Sequence, residues 1–223
     1  MAGLTKDDID MHRALPTAAR AVTIGVLLAL LPATASLAAP SRATRVPGPL
    51  GPENVPLEVG HPLAPASTAA QGQTVDGIQC DSHEQVAYHV HTRLTVYVDG
   101  QMRPLPPGIG IVDPVAQRTT RGPFYEASRC YYWLHVYVQD GIIHIESPTK
   151  QTYTLGQLFD IWQQPLSRTQ VASAKGSMVV FVDGRRYTGD PRDITLGSHQ
   201  VVQIDVGSPV VSPKTVDWSV TGL

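Results

Sequence analysis

The segment from Trp133 to Glu146 constrains the fold most, because polar and apolar side chains alternate along it on either side of Asp140-Gly141. Alternation with a period of two is typical of β-strands, and an Asp-Gly pair favours a two-residue type I′ turn. The segment therefore predicts a β-hairpin with a fixed register. The predicted cross-strand pairs are Gln139 with Ile142, Tyr137 with His144, and His135 with Glu146.

The side chains of this hairpin separate onto two faces, because successive residues of a strand point to opposite sides. One face is apolar and suits a core; it consists of Leu134, Val136, Val138, Ile143 and Ile145. The other face carries Trp133, His135, Tyr137, Ile142, His144 and Glu146. Opposed residues of an antiparallel pair have Cβ atoms roughly 4.5–5.5 Å apart. One ion or hydrogen bond could therefore join groups from both strands.

A second strand is predicted from Tyr88 to Val98, where the same alternation recurs. Its apolar face consists of Tyr88, Val90, Leu94, Val96 and Val98, and its polar face of His89, His91, Arg93, Thr95 and Tyr97. If this strand lies beside the hairpin, four histidines and a glutamate meet. The candidate metal ligands are His89, His91, His135, His144 and Glu146. Zinc and copper both bind imidazole, and Glu146 could act as a ligand or orient one.

Three classes of function fit this pattern. The first is a zinc- or copper-binding domain without an assigned activity. The second is a metal-dependent hydrolase or oxidase in which Glu146 or Tyr137 carries a proton. The third is a non-enzymatic module that binds a ligand or a protein of the cell envelope through an exposed strand edge. The structural alternative is a polar sheet face with ordinary histidines, or a hydrogen-bonded pair of His135 and Glu146. The expected partner is a metal ion or small ligand.

The only two cysteines are Cys80 and Cys130. In an exported protein an isolated pair usually forms a disulfide. Closing a loop of about 50 residues would contribute roughly 4 kcal/mol in the chain-entropy description. The alternative is a thiolate ligand of the kind that copper favours.

Residues 21–39 form the only long apolar run; Arg13 and Arg20 precede it and small residues close it. This pattern predicts that residues 1–39 are a secretory signal peptide, with an uncleaved membrane anchor as the alternative. Both interpretations place the remainder of the chain outside the cytoplasm, in the periplasm, free in the medium or anchored facing outward. The membrane is an expected partner only through this segment if it stays uncleaved.

Composition divides the rest of the chain. Residues 40–75 are rich in Pro, Gly, Ala and Ser without apolar periodicity, which predicts a flexible linker. Residues 76–210 are the predicted β-rich globular domain, and residues 211–223 a flexible tail. The formal net charge of −2 comes with no basic patch, which argues against nucleic-acid binding.

The order of elements predicts an α+β fold that is mostly β. Leu155, Leu158, Phe159 and Trp162 recur at helical spacing behind Thr154, a plausible N-cap. A hairpin about Asp183-Gly184 (residues 178–187) and a strand at 201–206 follow. Strand–strand–helix–strand–strand–strand is typical of a β-grasp (ubiquitin-like) sheet with one packed helix. Residues 94–100 resemble residues 178–184, which indicates a preceding related hairpin, either duplicated or alike because Val-Asp-Gly forms hairpins well.

The segments Gly141–Pro148 and Thr154–Leu166, with Leu134-His135 and His89-x-His91 upstream, resemble a family of exported bacterial proteins of unknown function. The resemblance covers about residues 80–207 and implies a shared fold and a shared site, with no established activity. Two positions depart from the family pattern Leu-His-Thr-His-Asp: Tyr137 replaces its second histidine and Val138 its aspartate. Tyrosine is a poor ligand unless it is deprotonated, and its ordinary pKa is near 10.

Overall fold

The computed structural model describes residues 48–223. Within this range, no helix combines the length and apolar character that a membrane span requires. The predicted signal peptide or anchor at residues 1–39 lies outside the described residues, as does the first part of the predicted linker.

Thirteen strands and one α-helix form the regular structure of residues 48–223. The strands are β1 (Cys80–Asp81), β2 (Tyr88–Val98), β3 (Gln101–Met102), β4 (Ile111–Thr119), β5 (Gly122–Tyr132), β6 (Leu134–His135), β7 (Ile142–Ser147), β8 (Leu166–Ser167), β9 (Gln170–Val171), β10 (Ala174–Lys175), β11 (Met178–Val182), β12 (Arg185–Tyr187) and β13 (Gln200–Val206). The helix α1 (Leu155–Trp162) follows β7. The prediction of an α+β fold that is mostly β is confirmed.

The main sheet has the strand order β12-β11-β13-β2-β7-β6, with β3 also paired to β2. β2 and β13 run parallel, and the other neighbours are antiparallel. A second sheet has the order β1-β5-β4, and a small third one the order β10-β9-β8. The sheet order places β7 between β2 and β6, so the two segments predicted to carry the site are neighbours.

One face of the main sheet packs against α1 and forms the principal core. Its members are apolar and fully or nearly buried, and they include Leu94, Val96, Ile143, Ile145, Leu155, Leu158, Phe159, Trp162, Val202 and Ile204. The helix begins with a capping box: Thr154 accepts from the backbone N–H of Gln157, whose side chain accepts from the N–H of Thr154. The predicted helix and its N-cap are confirmed.

The opposite face of the sheet is also covered, which buries its polar side chains. Residues 53–58 and parts of the β4–β5 hairpin contact it. A small apolar cluster forms there from Ile111, Tyr137 and Val138 with Leu57, Phe124 and Tyr131. The polar face is therefore an enclosed layer between two parts of the domain.

The prediction of a flexible linker is wrong for residues 48–75. Val55, Leu63 and Ala70 are each only 1% exposed, and the backbone N–H of Glu58 donates to the carbonyl of Gln139. A few apolar residues in a Pro- and Ala-rich segment are enough to order it, because the main sheet offers a face to cover. The domain thus begins before residue 76. The predicted tail is also tied down, since both Gln203 and Asp205 bond the backbone of Val211.

The Asp-Gly pairs adopt two different backbone conformations. At Asp183-Gly184 both residues have positive φ (49° and 75°), and Val182 pairs with Arg185 across the turn. The predicted hairpin there is confirmed, and Asp99-Gly100 forms a matching one between β2 and β3. Asp140 is not among the positive-φ residues, so the predicted type I′ turn at Asp140-Gly141 is wrong. Gly141 (φ 80°) is instead required because a Cβ there would lie 2.5 Å from the carbonyl oxygen of Leu94.

The predicted register of the 133–146 hairpin is also wrong, by two residues. His135 pairs with His144, not with Glu146, and Leu134 pairs with Ile145. Beyond His135 the chain leaves β7, because the backbone of Val136 bonds Gly108 and Ile109 instead. A shift of two residues keeps every side chain on its predicted face.

A disulfide joins Cys80 to Cys130, as predicted. It links β1 to β5 at the position where these strands pair. Both sulfur atoms are used by this bond, so the alternative of a thiolate metal ligand does not apply to this state of the protein.

Candidate metal centre

All five predicted ligands meet on the enclosed face of the main sheet. His89 and His91 lie on β2, His135 on β6, and His144 and Glu146 on β7. The sheet register sets His89 opposite Glu146 and places His144 between His91 and His135. Alternation along each strand points these side chains to one side, and the pairing of β2 and β6 with β7 brings them together.

Glu146 is the centre of the group. Its Oε1 atom lies 3.1 Å from His89 Nε2, 3.4 Å from His144 Nδ1 and 3.7 Å from His135 Nε2. A tetrahedral zinc ion with bonds of about 2.0–2.1 Å needs donor atoms about 3.3 Å apart. The spacing around Glu146 is therefore close to what one bound ion requires.

Two sets of three donors have ligand atoms within 4.8 Å of one another. One set is His135, His144 and Glu146, and the other is His89, His91 and His144. His144 belongs to both. The His/Glu cluster could thus hold a metal ion, and His144 is the residue on which either arrangement depends.

The cluster is nearly closed to solvent. The side chain of His89 is 39% exposed, whereas His135 is fully buried and His144 and Glu146 are each 3% exposed. His89 consequently forms the rim through which an ion would enter.

His135 is oriented as a ligand by the backbone. Its Nδ1 lies 2.8 Å from the carbonyl oxygen of Tyr132, which can only accept, so Nδ1 carries the proton. Nε2 then holds a lone pair; it is buried and, within residues 48–223, has no hydrogen-bond partner. Burial lowers the pKa of His135 to about 4, which keeps this imidazole neutral and able to coordinate.

His144 lies between two carboxylates. Its Nδ1 faces Glu146, and its Nε2 lies 3.0 Å from Glu53 Oε1. Burial alone lowers the pKa of His144, but the ion-pair contacts with Glu146 and Glu53 outweigh burial and raise the pKa to about 9. Burial raises the pKa of Glu146. Its contacts with His144 and His89 outweigh burial and hold the pKa of this carboxyl well below its usual range. Both groups are charged at neutral pH when no ion is bound.

His91 is buried with an Nε2 that lacks a hydrogen-bond partner among the described residues. Burial, followed by the nearby positive charge of His144, lowers the pKa of His91 to about 3. This imidazole is a neutral donor over the whole physiological range. Its unmet hydrogen-bonding capacity is costly unless a cation or a water satisfies it.

Glu53 was missed by sequence reasoning, because it lies in the segment predicted to be a linker. A signal was nevertheless present: Glu53 and Glu58 are the only acidic residues between positions 48 and 75. Glu58 is also buried, beside Arg93 and Thr95. Burial raises the pKa of Glu58 to about 7, although Arg93 opposes this. The covering segment therefore contributes two buried carboxylates to the enclosed face.

Tyr137 forms one wall of the candidate metal site and is not positioned as a metal ligand. Its ring centroid lies 4.6 Å from those of both His135 and His144, and it stacks on Phe124 at 4.4 Å. Its hydroxyl donates to the carboxylate of Glu84. Burial raises the pKa of the phenol, so it stays protonated. Tyr137 thus helps to shield the donors from solvent.

Two surface grooves lie away from the cluster. One, of about 360 Å³, is lined by α1 and residues near Arg192, and the other, of about 230 Å³, runs along β11 and β12. Neither includes a residue of the His/Glu cluster. These two grooves are therefore separate from the His/Glu cluster.

Comparison of the chain with protein-family models, with curated proteins and with solved structures finds no match in any of the three.

Proposed function

We propose that this domain binds a divalent zinc or copper ion through His135, His144 and Glu146. The observation that carries the proposal is the convergence of imidazole nitrogens from β6, β7 and β2 on a single oxygen of Glu146, at 3.1–3.7 Å. Two histidines and a carboxylate are an established zinc ligand set. His89 and His91 complete the candidate ligands at the rim.

The partners of these donors support the assignment. Ligating histidines usually donate their second N–H to a carbonyl or carboxylate, which fixes the ring orientation. His135 has the Tyr132 carbonyl in this role and His144 has Glu53. Each ring therefore has one nitrogen held in place and the other directed at Glu146.

The donor chemistry favours zinc over copper. Cu(I) prefers soft sulfur ligands, and both cysteines are joined in the disulfide. Zinc accepts nitrogen and oxygen donors without a strong geometric preference. The near-complete burial of the donors also favours retention of an ion over catalysis, because a catalytic zinc keeps an open coordination position.

We further propose that the main sheet is β-grasp-like (ubiquitin-like) and that the protein is exported. The adjacency of its first and last long strands, β2 and β13, supports the fold assignment, since they run parallel at the centre with β7 and β11 outside them. The disulfide supports export, because such bonds persist in oxidising compartments.

Zinc titration of the full-length, metal-stripped protein tests the proposal. We expect stoichiometric zinc by elemental analysis and a higher melting temperature. Zinc at a hundredfold excess over Kd should stabilise the fold by about 2.7 kcal/mol. Glu146→Gln should lose most of this effect, whereas Glu126→Gln, an exposed glutamate of β5, should retain it. A parent protein that retains neither zinc nor copper and melts at an unchanged temperature contradicts the proposal.

Zinc affinity should rise with pH up to about 9. The first ion must displace the proton of His144, whose pKa is about 9, so each pH unit below that value should weaken binding about tenfold. His135 and His91, with pKa values of about 4 and 3, add nothing to this slope near neutrality. Glu53→Gln removes one group that raises the pKa of His144, so its affinity should level off at lower pH. A flat affinity between pH 7 and 9 in the parent contradicts the expectation.

A further inference from the structure

We infer that the cluster holds two divalent ions, with the ring of His144 bridging them and a second site formed by His144 Nε2, Glu53 and His91. The inference rests on the proposed metal binding and adds an ion to it. Zinc is the expected occupant of both positions, because the second site again offers only nitrogen and oxygen donors.

The two nitrogens of His144 lead to two different carboxylates. Nδ1 lies 3.4 Å from Glu146 and Nε2 lies 3.0 Å from Glu53. The lone pairs of an imidazole diverge in the plane of the ring, so an ion bound at Nδ1 cannot also use Nε2. The donors on the side of Glu53 are therefore available to another ion.

His91 supplies the third donor of this second site. It pairs directly with His144 across β2 and β7, and the ring centroids are 4.6 Å apart. A ligand nitrogen of His91 lies within 4.8 Å of one on His144. Its Nε2 and the Oε2 atom of Glu53 are both buried without a hydrogen-bond partner within the described part of the chain. Unpartnered polar atoms of this kind are what a bound ion would satisfy.

The charges beside His144 also favour a cation on each side of the ring. Two nearly buried carboxylates flank the imidazole, Glu146 at Nδ1 and Glu53 at Nε2. Within residues 48–223, neither of them pairs with a guanidinium. Buried charges require compensation, and one divalent ion at each nitrogen would supply it.

The exchange at the second site is balanced. A divalent ion would replace the proton on His144 Nε2, and this proton would pass to solvent. The ring would then bind one ion at each nitrogen as an imidazolate, and Glu53, the ion-pair partner of His144, would become a ligand.

The number of ions per chain tests the inference. Metal-stripped full-length protein is titrated with zinc by calorimetry, and the bound metal is counted by elemental analysis. We expect two zinc ions per chain in the parent and one in Glu53→Gln and in His91→Asn. Glu58→Gln, a buried glutamate of the same segment, is the matched control and should retain two. With copper(II), filling the second site should reduce the paramagnetic resonance signal per copper, because an imidazolate bridge couples the two spins.

Each result separates this inference from the proposed function. A parent that binds no ion removes both. A parent that binds one ion overturns the second site and leaves the first in place, and this count needs no variant to fold. Two ions in the parent and also in Glu53→Gln and His91→Asn would show that those residues are not ligands, which overturns the site as assigned.

Discussion

Replacing His144 with alanine should weaken zinc binding by more than about 100-fold, because loss of a contact outside the ligand shell already costs 10- to 100-fold. His144 is shared by both sets of donors, and no neighbouring histidine can take its position between β2 and β6. The measurement is competition with a chromogenic chelator at pH 7.5. His61→Ala, an exposed histidine outside the cluster, should bind zinc like the parent.

The same variant should also lose stability in the metal-free state. Without the imidazolium, Glu53 and Glu146 are left as buried carboxylates without their shared cation, and breaking a buried ion pair costs about 3–5 kcal/mol. Glu146→Gln provides a second test, because it removes the negative charge of Glu146 and keeps the imidazole ring of His144. If folded His144→Ala binds zinc as tightly as the parent, His144 is not the central ligand.

Alternation was the most reliable part of the sequence prediction. The polar and apolar residues of β2 and β7 occupy the faces expected from a period of two, because this period is a local property of extended chain. The register of the 133–146 segment is not local. It depends on Val136 bonding Ile109 and on Gln139 bonding Glu58, and neither partner can be read from the hairpin itself.

The sequence predicts that the histidines of β2 and β7 meet if the two strands are neighbours, but it does not show whether they are. His-x-His on β2 and His-x-Glu on β7 converge only because these strands pair. That pairing is set by the whole sheet, including the parallel contact of β2 with β13, which is distant in sequence. Patterns within one segment identify candidate ligands, whereas sheet order decides which of them share a site.

Glu53 shows that composition alone gave a wrong prediction for the segment around it. A composition rich in Pro, Gly and Ala predicts disorder because such a segment cannot bury enough apolar surface by itself. Glu53, Leu57 and Glu58 are instead held by contacts with the face that β2 and β7 present. This segment helps to enclose the donors, and its Glu53 is one of the two carboxylates that raise the pKa of His144. Burial of the polar face was therefore beyond what periodicity could predict.

Removing the disulfide should produce a large loss of stability. Cys80 and Cys130 are 50 residues apart, and the chain-entropy description gives about 4 kcal/mol for a loop of this length. Small domains are stable by only about 5–15 kcal/mol in total. The double variant Cys80→Ala/Cys130→Ala should therefore unfold at a much lower urea concentration than the parent.

A reducing agent should destabilise the parent to the same extent and leave the double variant unchanged, which separates the bond from the packing of its sulfur atoms. The loop that follows Cys80 carries Glu84, the partner of the Tyr137 hydroxyl, so zinc should also dissociate faster from the variant. If the variant instead unfolds at the same urea concentration as the parent, the short β1–β5 pairing alone holds this loop over the donors, and the disulfide contributes nothing to their enclosure.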